Sequence, residues 1–140
     1  YDKIRLSIME TILRTYYTKD NISKSNLTIS LFKRTEKELS NLGKKILESI
    51  NLSKTTTYSI KLIKSKVEAG SGSLPTETMS SYAISIKNKN INPLVVFNNF
   101  LNAKLPVIGY VKNNSYIIDL KAIPHDQVNK LISTLKQCLK

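Results

Sequence analysis

The sequence contains very few of the residues that build metal centres and disulfide frameworks. Among its 140 residues there is one cysteine, Cys138, and one histidine, His125. A zinc site takes about four such ligands and a disulfide takes two cysteines, so the chain supplies neither, and we predict no metal site. We expect His125 to be a surface or capping residue at a helix start. Nearby lysines would lower the pKa of the Cys138 thiol, but no partner base can be named.

Long apolar runs and carboxylates are also scarce. No run approaches the roughly 20 residues of a membrane span, and no signal-peptide pattern follows Tyr1, so we expect a cytoplasmic protein with no membrane contact. A helical pattern begins directly at the first residues, from which we expect part of a longer chain. Of the 10 acidic residues, Glu68, Glu77 and Asp119 are the candidate carboxylates. Acid–base chemistry would need two of them together, and solvation or a local hydrogen bond explains each equally well.

Positive charge is abundant, with 22 lysines and arginines and a formal net charge of +12. Such a charge favours a polyanionic partner. Only Arg5, Arg14 and Arg34 are arginines, however, and arginine is the residue best suited to forked contacts with phosphates and bases. The lysines are scattered along the chain. A generally basic surface is therefore favoured over a dedicated nucleic-acid patch, and both interpretations stay open.

Hydrophobic periodicity predicts four helices and four strands. A helical stripe covers Asp2 to Tyr17, a polar loop follows at Asp20 to Ser30, and the capping box Thr35-Glu36-Lys37-Glu38 starts the second helix. The remaining predicted elements, in chain order, are a strand at Tyr58–Val67 with a possible bulge at Ile63, a strand around Tyr82–Ile86, a helix from Asn92-Pro93, a strand at Pro106–Val111, a turn at Lys112–Ser115, a strand at Tyr116–Leu120 and a helix from Pro124. This order predicts an α+β fold, a small antiparallel sheet with helices on one face.

A glycine-rich loop is the one concentrated signal for a site. Gly70, Ser71, Gly72 and Ser73 lie between two predicted strands that we expect to pair. Free amides and hydroxyls in such a loop can approach a phosphate or a carboxylate. The loop matches neither a P-loop nor a dinucleotide-binding fingerprint. A hairpin connection without a ligand is the alternative interpretation.

Three blocks of sequence resemble the bacterial selenocysteine synthases. The first begins Asp2-Lys3-Ile4-Arg5-Leu6 and runs to Arg14, within the predicted first helix. The second is Gly70-Ser71-Gly72-Ser73-Leu74-Pro75 followed by a strand. The third is Pro106-Val107-Ile108-Gly109-Tyr110 with the return strand Tyr116-Ile117-Ile118-Asp119-Leu120. The blocks stand in the order of the family and span nearly the whole chain. Ser71, Tyr110 and Lys121 depart from it, since the family has a glycine at the first position and often arginines at the other two.

The resemblance implies a fold, a cofactor and a reaction. The family are fold-type I pyridoxal-phosphate enzymes that convert seryl-tRNA(Sec) to selenocysteyl-tRNA(Sec) with selenophosphate, working as homo-oligomers in the cytoplasm. Their Schiff-base lysine lies in a Ser-Gly-Asp-Lys segment of the large domain, which this sequence lacks. The chain would then be a helical connector (1–55) and a C-terminal small α+β domain (56–140). It would hold no catalytic residue and be inactive alone, with Gly70 to Ser73 facing substrate or cofactor.

Two other functions remain open at this stage. A related pyridoxal-phosphate lyase or aldolase would share the fold and turn over a free amino acid without tRNA. A non-catalytic tRNA-binding module fits the charge of +12, although the chain has few arginines and no aromatic stacking face is evident in the sequence.

Overall fold

The computed structural model describes residues 2–17, 22–50, 57–68 and 78–139, and the chain divides into two compact units, Tyr1–Lys33 and Arg34–Lys140. The first unit contains α1 (Lys3–Tyr17), α2 (Ile22–Ser25) and α3 (Leu27–Phe32). The second contains four strands and three helices, together with a 3-10 turn at His125–Gln127. Its elements are α4 (Glu36–Ile50), β1 (Tyr58–Glu68), β2 (Thr78–Asn88), α5 (Pro93–Leu101), β3 (Tyr110–Lys112), β4 (Ser115–Asp119) and α6 (Val128–Cys138).

The first unit confirms the predicted opening helix and corrects the loop after it. In α1 the apolar stripe is solvent-exposed, with no residue buried. The loop predicted over Asp20 to Ser30 is wrong where the chain is described, because α2 and α3 are helical. Asn26 caps α3, since its side-chain oxygen accepts a hydrogen bond of 3.1 Å from the Ile29 amide. A local cap of this kind stabilises a short helix. The apolar pattern of α3 is too weak for the helix to be predicted from the sequence.

The second unit is the predicted α+β fold. Its strands form one antiparallel sheet in the order β1-β2-β4-β3. The register aligns Ile84 with Ile118 and Ile86 with Tyr116, so these four buried side chains lie on one face. Residues of α4, α5 and α6 pack with them in a single hydrophobic cluster. The three helices therefore cover one face of the sheet, as the sequence predicts.

The compact unit begins earlier than the predicted boundary between residues 55 and 56. It starts at Arg34 and includes α4. The reason is burial, because Leu39, Ile46 and Ile50 of this helix belong to the core cluster of the sheet. A helix with that much apolar surface against the sheet is part of the domain rather than a connector to it.

The two long strands form the predicted hairpin. Their pairing runs without interruption from Tyr58 opposite Asn88 to Glu68 opposite Thr78. The suggested bulge at Ile63 is therefore wrong. The apparent change of phase arises because Leu62 and Ile63, on opposite faces, are both half-buried.

The second hairpin is shorter than predicted. Its first strand begins at Tyr110 rather than Pro106. Proline has no amide to donate to a sheet, and the Val107 amide instead donates to the Phe100 carbonyl at 3.1 Å. The predicted turn is confirmed, with Asn113 and Asn114 at φ of 52° and 54°. Such left-handed angles at both positions suit a tight two-residue hairpin turn, where asparagine is favoured.

Candidate functional site

The glycine-rich loop, Gly70 to Ser73, lies outside the described residues. The strands on either side of it are described and are paired to their ends, where Glu68 stands opposite Thr78. Residues 69–77 therefore connect the two strands of the β1–β2 hairpin. The expected pairing of the flanking strands is confirmed, and the role assigned to Gly70, Ser71, Gly72 and Ser73 stays a prediction.

The end of this hairpin next to the loop extends past the shorter strands. Strand β4 pairs with β2 only between Ala83 and Ile86, and the Leu120 amide adds one bond of 2.9 Å to the Tyr82 carbonyl. Among the described strands, the last residues of β1 and the first of β2 therefore pair only with each other. This ribbon forms one side of the candidate site.

A partly buried polar cluster around one carboxylate lies at the base of the ribbon, on the sheet face opposite the helices. Asp119, at the end of β4, accepts hydrogen bonds of 2.6 Å from the Ser65 hydroxyl and 2.6 Å from the Ser81 hydroxyl. It also accepts the Lys121 amide at 3.0 Å. Ser65 and Ser81 are directly opposite in the β1–β2 register. Asp119 thus ties three strands together across β2, where its own register partner is the small, fully buried Ala83.

A shallow cleft of about 560 Å³ opens beside this cluster. Residues of the ribbon and of the β3–β4 hairpin line it together with Glu36 of α4, among them Lys64, Ser65, Lys66, Ser81, Tyr110 and Lys112. Partial burial raises the pKa of Tyr110, and the negative charge of Asp119 raises it further. The cleft therefore combines hydroxyl groups beside a carboxylate with exposed lysines and one aromatic ring that is 41% exposed.

Lys121, which stands where the resemblance has an arginine, is part of the interior. It is only 5% exposed, and its Nζ donates to the Arg34 carbonyl at 3.1 Å. Arg34 in turn donates from Nη1 to the carbonyls of Leu120 (3.2 Å) and Ile123 (2.5 Å). Burial lowers the pKa of Arg34, and the charge of Glu38 acts in the opposite direction. These two cations fasten the chain after β4 to the start of α4.

Cys138 and His125 take no part in the cleft. The pKa of the Cys138 thiol is raised by burial, which corrects the expectation that neighbouring cations would lower it. Its sulfur donates to the Asn99 carbonyl at 3.8 Å. His125 is an exposed residue of the 3-10 turn before α6, as predicted. Over the described ranges, no three histidine, cysteine or acidic residues are grouped closely enough to hold a metal ion.

The carboxylates named from the sequence divide into three cases. Glu68 is exposed at the end of β1 and Glu77 falls outside the described residues. Asp119 is the one that the fold places in a polar cluster, together with two serines that the sequence did not single out. Each serine is out of phase with the core-facing apolar residues of its own strand and so lies on the opposite face of the sheet. Polar residues are ordinary on such a face, so the pattern alone does not mark a site. Only the convergence of three strands distinguishes them.

The described residues do not by themselves form a pyridoxal-phosphate site. Such a site needs a lysine whose amine is available inside a pocket. Of the lysines whose burial is described, only Lys121 is buried, and its amine is bonded to the Arg34 carbonyl. No described helix is long and apolar enough to cross a membrane.

Comparisons with known proteins agree on one family. The family model for L-seryl-tRNA selenium transferase matches residues 1–124. An L-seryl-tRNA(Sec) selenium transferase of Alkaliphilus oremlandii is 25% identical over 139 residues, which are 99% of this chain and 30% of that protein. The proteins of the same name from Campylobacter jejuni strain RM1221 and Actinobacillus pleuropneumoniae strain L20 are 28% and 26% identical over 97% of this chain, and 28% and 29% of theirs.

The matches are to a part of longer proteins. The chain spans about 30% of the length of the first relative it matches, in the C-terminal part of those proteins. Within that part, the family model reaches from the first helix to the end of the second hairpin. The family model matches most of the chain, and relatives that share one name align with nearly all of it. These matches assign the chain to one family. The chain belongs to the L-seryl-tRNA selenium transferase family.

Proposed function

We propose that this chain is the C-terminal part of a selenium transferase that converts seryl-tRNA(Sec) to selenocysteyl-tRNA(Sec). The observation that carries the proposal is the family match over residues 1–124. Because the chain corresponds to about 30% of its relatives, the catalytic residues are proposed to lie in the remainder of the protein. This chain would supply a helical connector and a small domain beside the active site, and would be inactive alone.

The features of α1 support its part as a connector. Its large apolar side chains are exposed, among them Ile4 at 68% and Ile8 at 55%. A stripe of this size is normally covered by another surface. A helix between two domains of one polypeptide would be covered in this way.

The cofactor and partners belong to the same proposal. Pyridoxal phosphate would be held mainly by the rest of the protein, and it supplies the electron sink that stabilises a carbanion next to the amino group. Selenophosphate as donor, homo-oligomeric assembly and cytoplasmic location rest on the resemblance alone. Within this chain, the proposed contribution is the backbone and hydroxyl of Gly72 and Ser73, in the segment between β1 and β2, facing substrate or cofactor.

Ser73→Ala in the full-length protein tests that contribution. We expect kcat/KM for seryl-tRNA(Sec) to fall about tenfold, the effect of losing one hydrogen bond of about 1.4 kcal/mol. Ser85→Ala is the matched control, since Ser85 lies in β2 away from the loop, and it should leave kcat/KM unchanged. Equal activity of the Ser73→Ala and wild-type proteins would remove the role of this loop. Turnover of free serine without tRNA would favour the lyase or aldolase alternative.

A tRNA-binding module without catalysis is the second candidate. The three lysines that line the cleft, Lys64, Lys66 and Lys112, favour it, because they place positive charge around one concave surface. They are equally compatible with the first candidate, in which tRNA is the substrate. Activity of the full-length protein separates the two.

A further inference from the structure

Ser65 forms the floor of the cleft beside Asp119, and the Asp119 carboxylate decides whether the Ser65 hydroxyl donates or accepts hydrogen bonds there. The hydroxyl of Ser65 carries one hydrogen, and the 2.6 Å contact to Asp119 shows where it points. A charged acceptor at that distance holds the hydrogen strongly. What Ser65 offers to the cleft is therefore a lone pair, so the half-buried Ser65 oxygen accepts hydrogen bonds and does not donate them.

Asp119 is itself held in place, which makes this assignment firm. Its other oxygen accepts the hydroxyl of Ser81 at 2.6 Å and the amide of Lys121 at 3.0 Å. The competing acceptor for Ser81, the Tyr82 carbonyl, is farther at 3.4 Å. Ser81 is 1% exposed and serves as an anchor beneath the surface. Asp119 thus orients the hydroxyl of Ser65 without having to touch a ligand.

The rim of the cleft has a different chemistry from its floor. Lys112 is exposed on the same face as Ser65, whereas Lys64 and Lys66 alternate with Ser65 along the edge strand β1 and are exposed there; all three are among the residues around the cleft. Among the described residues, the ion pair that these lysines make is the loose 3.9 Å contact of Lys64 with Glu36. Tyr110 contributes a partly exposed aromatic ring. Lysines that track phosphates and an aromatic ring for stacking are the two elements of sites for single-stranded nucleic acid.

Resting on the proposed function, we propose that this cleft binds the unpaired end of the RNA substrate, with Ser65 accepting from a base amino group and Asp119 as its positioning residue. Adenine and cytosine carry exocyclic amino donors, whereas uracil has a carbonyl oxygen at the equivalent place. An acceptor floor therefore favours adenine and cytosine over uracil. The lysines at the rim bind the phosphates of any sequence.

The test compares the binding of short single-stranded oligo(A), oligo(C) and oligo(U) to the full-length protein at one fixed salt concentration. We expect oligo(A) and oligo(C) to bind about tenfold more tightly than oligo(U), the discrimination that one good base contact supplies. Ser65→Ala should abolish the preference while leaving oligo(U) binding unchanged. Ser85→Ala, on the same face of the sheet but outside the cleft, should keep the wild-type preference.

Asp119→Asn gives the readout that a purely structural role would not produce. The new amide donates to Ser65, whose hydroxyl hydrogen is then free to point into the cleft, so the preference should shift towards oligo(U). Equal binding of all three RNAs to the wild-type protein would overturn the proposal and leave only phosphate binding by lysines. If Asp119→Asn does not fold, the Ser65→Ala result decides alone. A wild-type protein that shows no base preference but full transferase activity would contradict the proposed cleft and leave the proposed function standing.

Discussion

Tyr116 and Gly109 show how closely single residues are packed where the second hairpin meets the core. Tyr116 is fully buried, its hydroxyl donates to the Val107 carbonyl at 2.8 Å, and its ring centroid lies 4.9 Å from that of Phe100. Burial is the main cause that raises the pKa of this phenol, so it stays protonated and keeps donating at ordinary pH. A Cβ atom on Gly109 would meet the Ile117 carbonyl and the ring of Tyr116. The chain before β3 can lie this close only because residue 109 has no side chain.

We therefore expect Gly109→Ala to lower the free energy of unfolding by about 1–3 kcal/mol, the usual cost of forcing extra atoms into a packed site. Urea denaturation of the chain measures the change. Ile108→Ala is the matched control, because Ile108 is 78% exposed and a substitution there should change stability by less than about 0.5 kcal/mol. Equal stability of Gly109→Ala and the wild-type chain would show that the backbone relaxes away from the contact.

At the scale of elements, the capping box of α4 shows a sequence motif forming as predicted. The Thr35 amide donates to the Glu38 carboxylate at 2.7 Å, and the Glu38 amide donates to the Thr35 hydroxyl at 3.3 Å. The bond from the Thr35 amide is the main cause that lowers the pKa of Glu38. A carboxyl whose pKa is lower in the folded state stabilises the protein above its unfolded pKa of about 4.3, and that contribution disappears as the pH falls.

Thr35→Ala should lower the free energy of unfolding by about 1 kcal/mol, a typical cost of losing an N-cap. It should also weaken the loss of stability on acidification below about pH 4.3, because Glu38 loses its hydroxyl partner. Denaturation at a series of pH values measures both effects. Glu38→Gln separates them, since it retains an acceptor for the Thr35 amide but cannot titrate. A wild-type pH dependence in Glu38→Gln would assign the effect to other groups.

At the scale of the whole molecule, we expect RNA binding to depend on where the lysines behind the net charge of +12 lie, and not on the total charge alone. If the cleft binds RNA phosphates, replacing Lys64, Lys66 and Lys112 together by glutamine removes about three phosphate contacts. The slope of log K against log salt for tRNA should then become shallower by about 2, at about 0.7 per contact for single strands.

The control for this measurement makes the same change of charge elsewhere. Lys44, Lys45 and Lys136 are exposed on α4 and α6, in the helical layer of the sheet. Glutamine at these three positions should leave the slope nearly as it is in the wild-type protein. An equal loss of slope in both triple variants would mean that the chain binds through a generally basic surface, as its scattered lysines first indicated.

Local features could be predicted from the sequence because they depend on residues close together in the chain. Asn92 accepts from the Leu94 amide at 2.9 Å, two residues away, and the Thr35–Glu38 box spans three residues. Alternation of apolar residues likewise predicted the β1–β2 hairpin, since its two strands are neighbours in sequence. The one-faced helical layer followed from the same patterns. The short helices α2 and α3 were missed because their apolar periodicity is too brief to detect.

The candidate site depended on contacts between distant parts of the chain, which no local pattern encodes. Asp119 lies 54 residues from Ser65 and 38 from Ser81 in sequence, yet both hydroxyls reach it at 2.6 Å. Lys121 likewise meets the carbonyl of Arg34 across 87 residues, which places in the interior a lysine that the sequence marked only as a departure from the family. Residue types and strand phase, set by the sequence, determined which face each side chain occupies. Sheet order and the different lengths of the strands decided which of them meet.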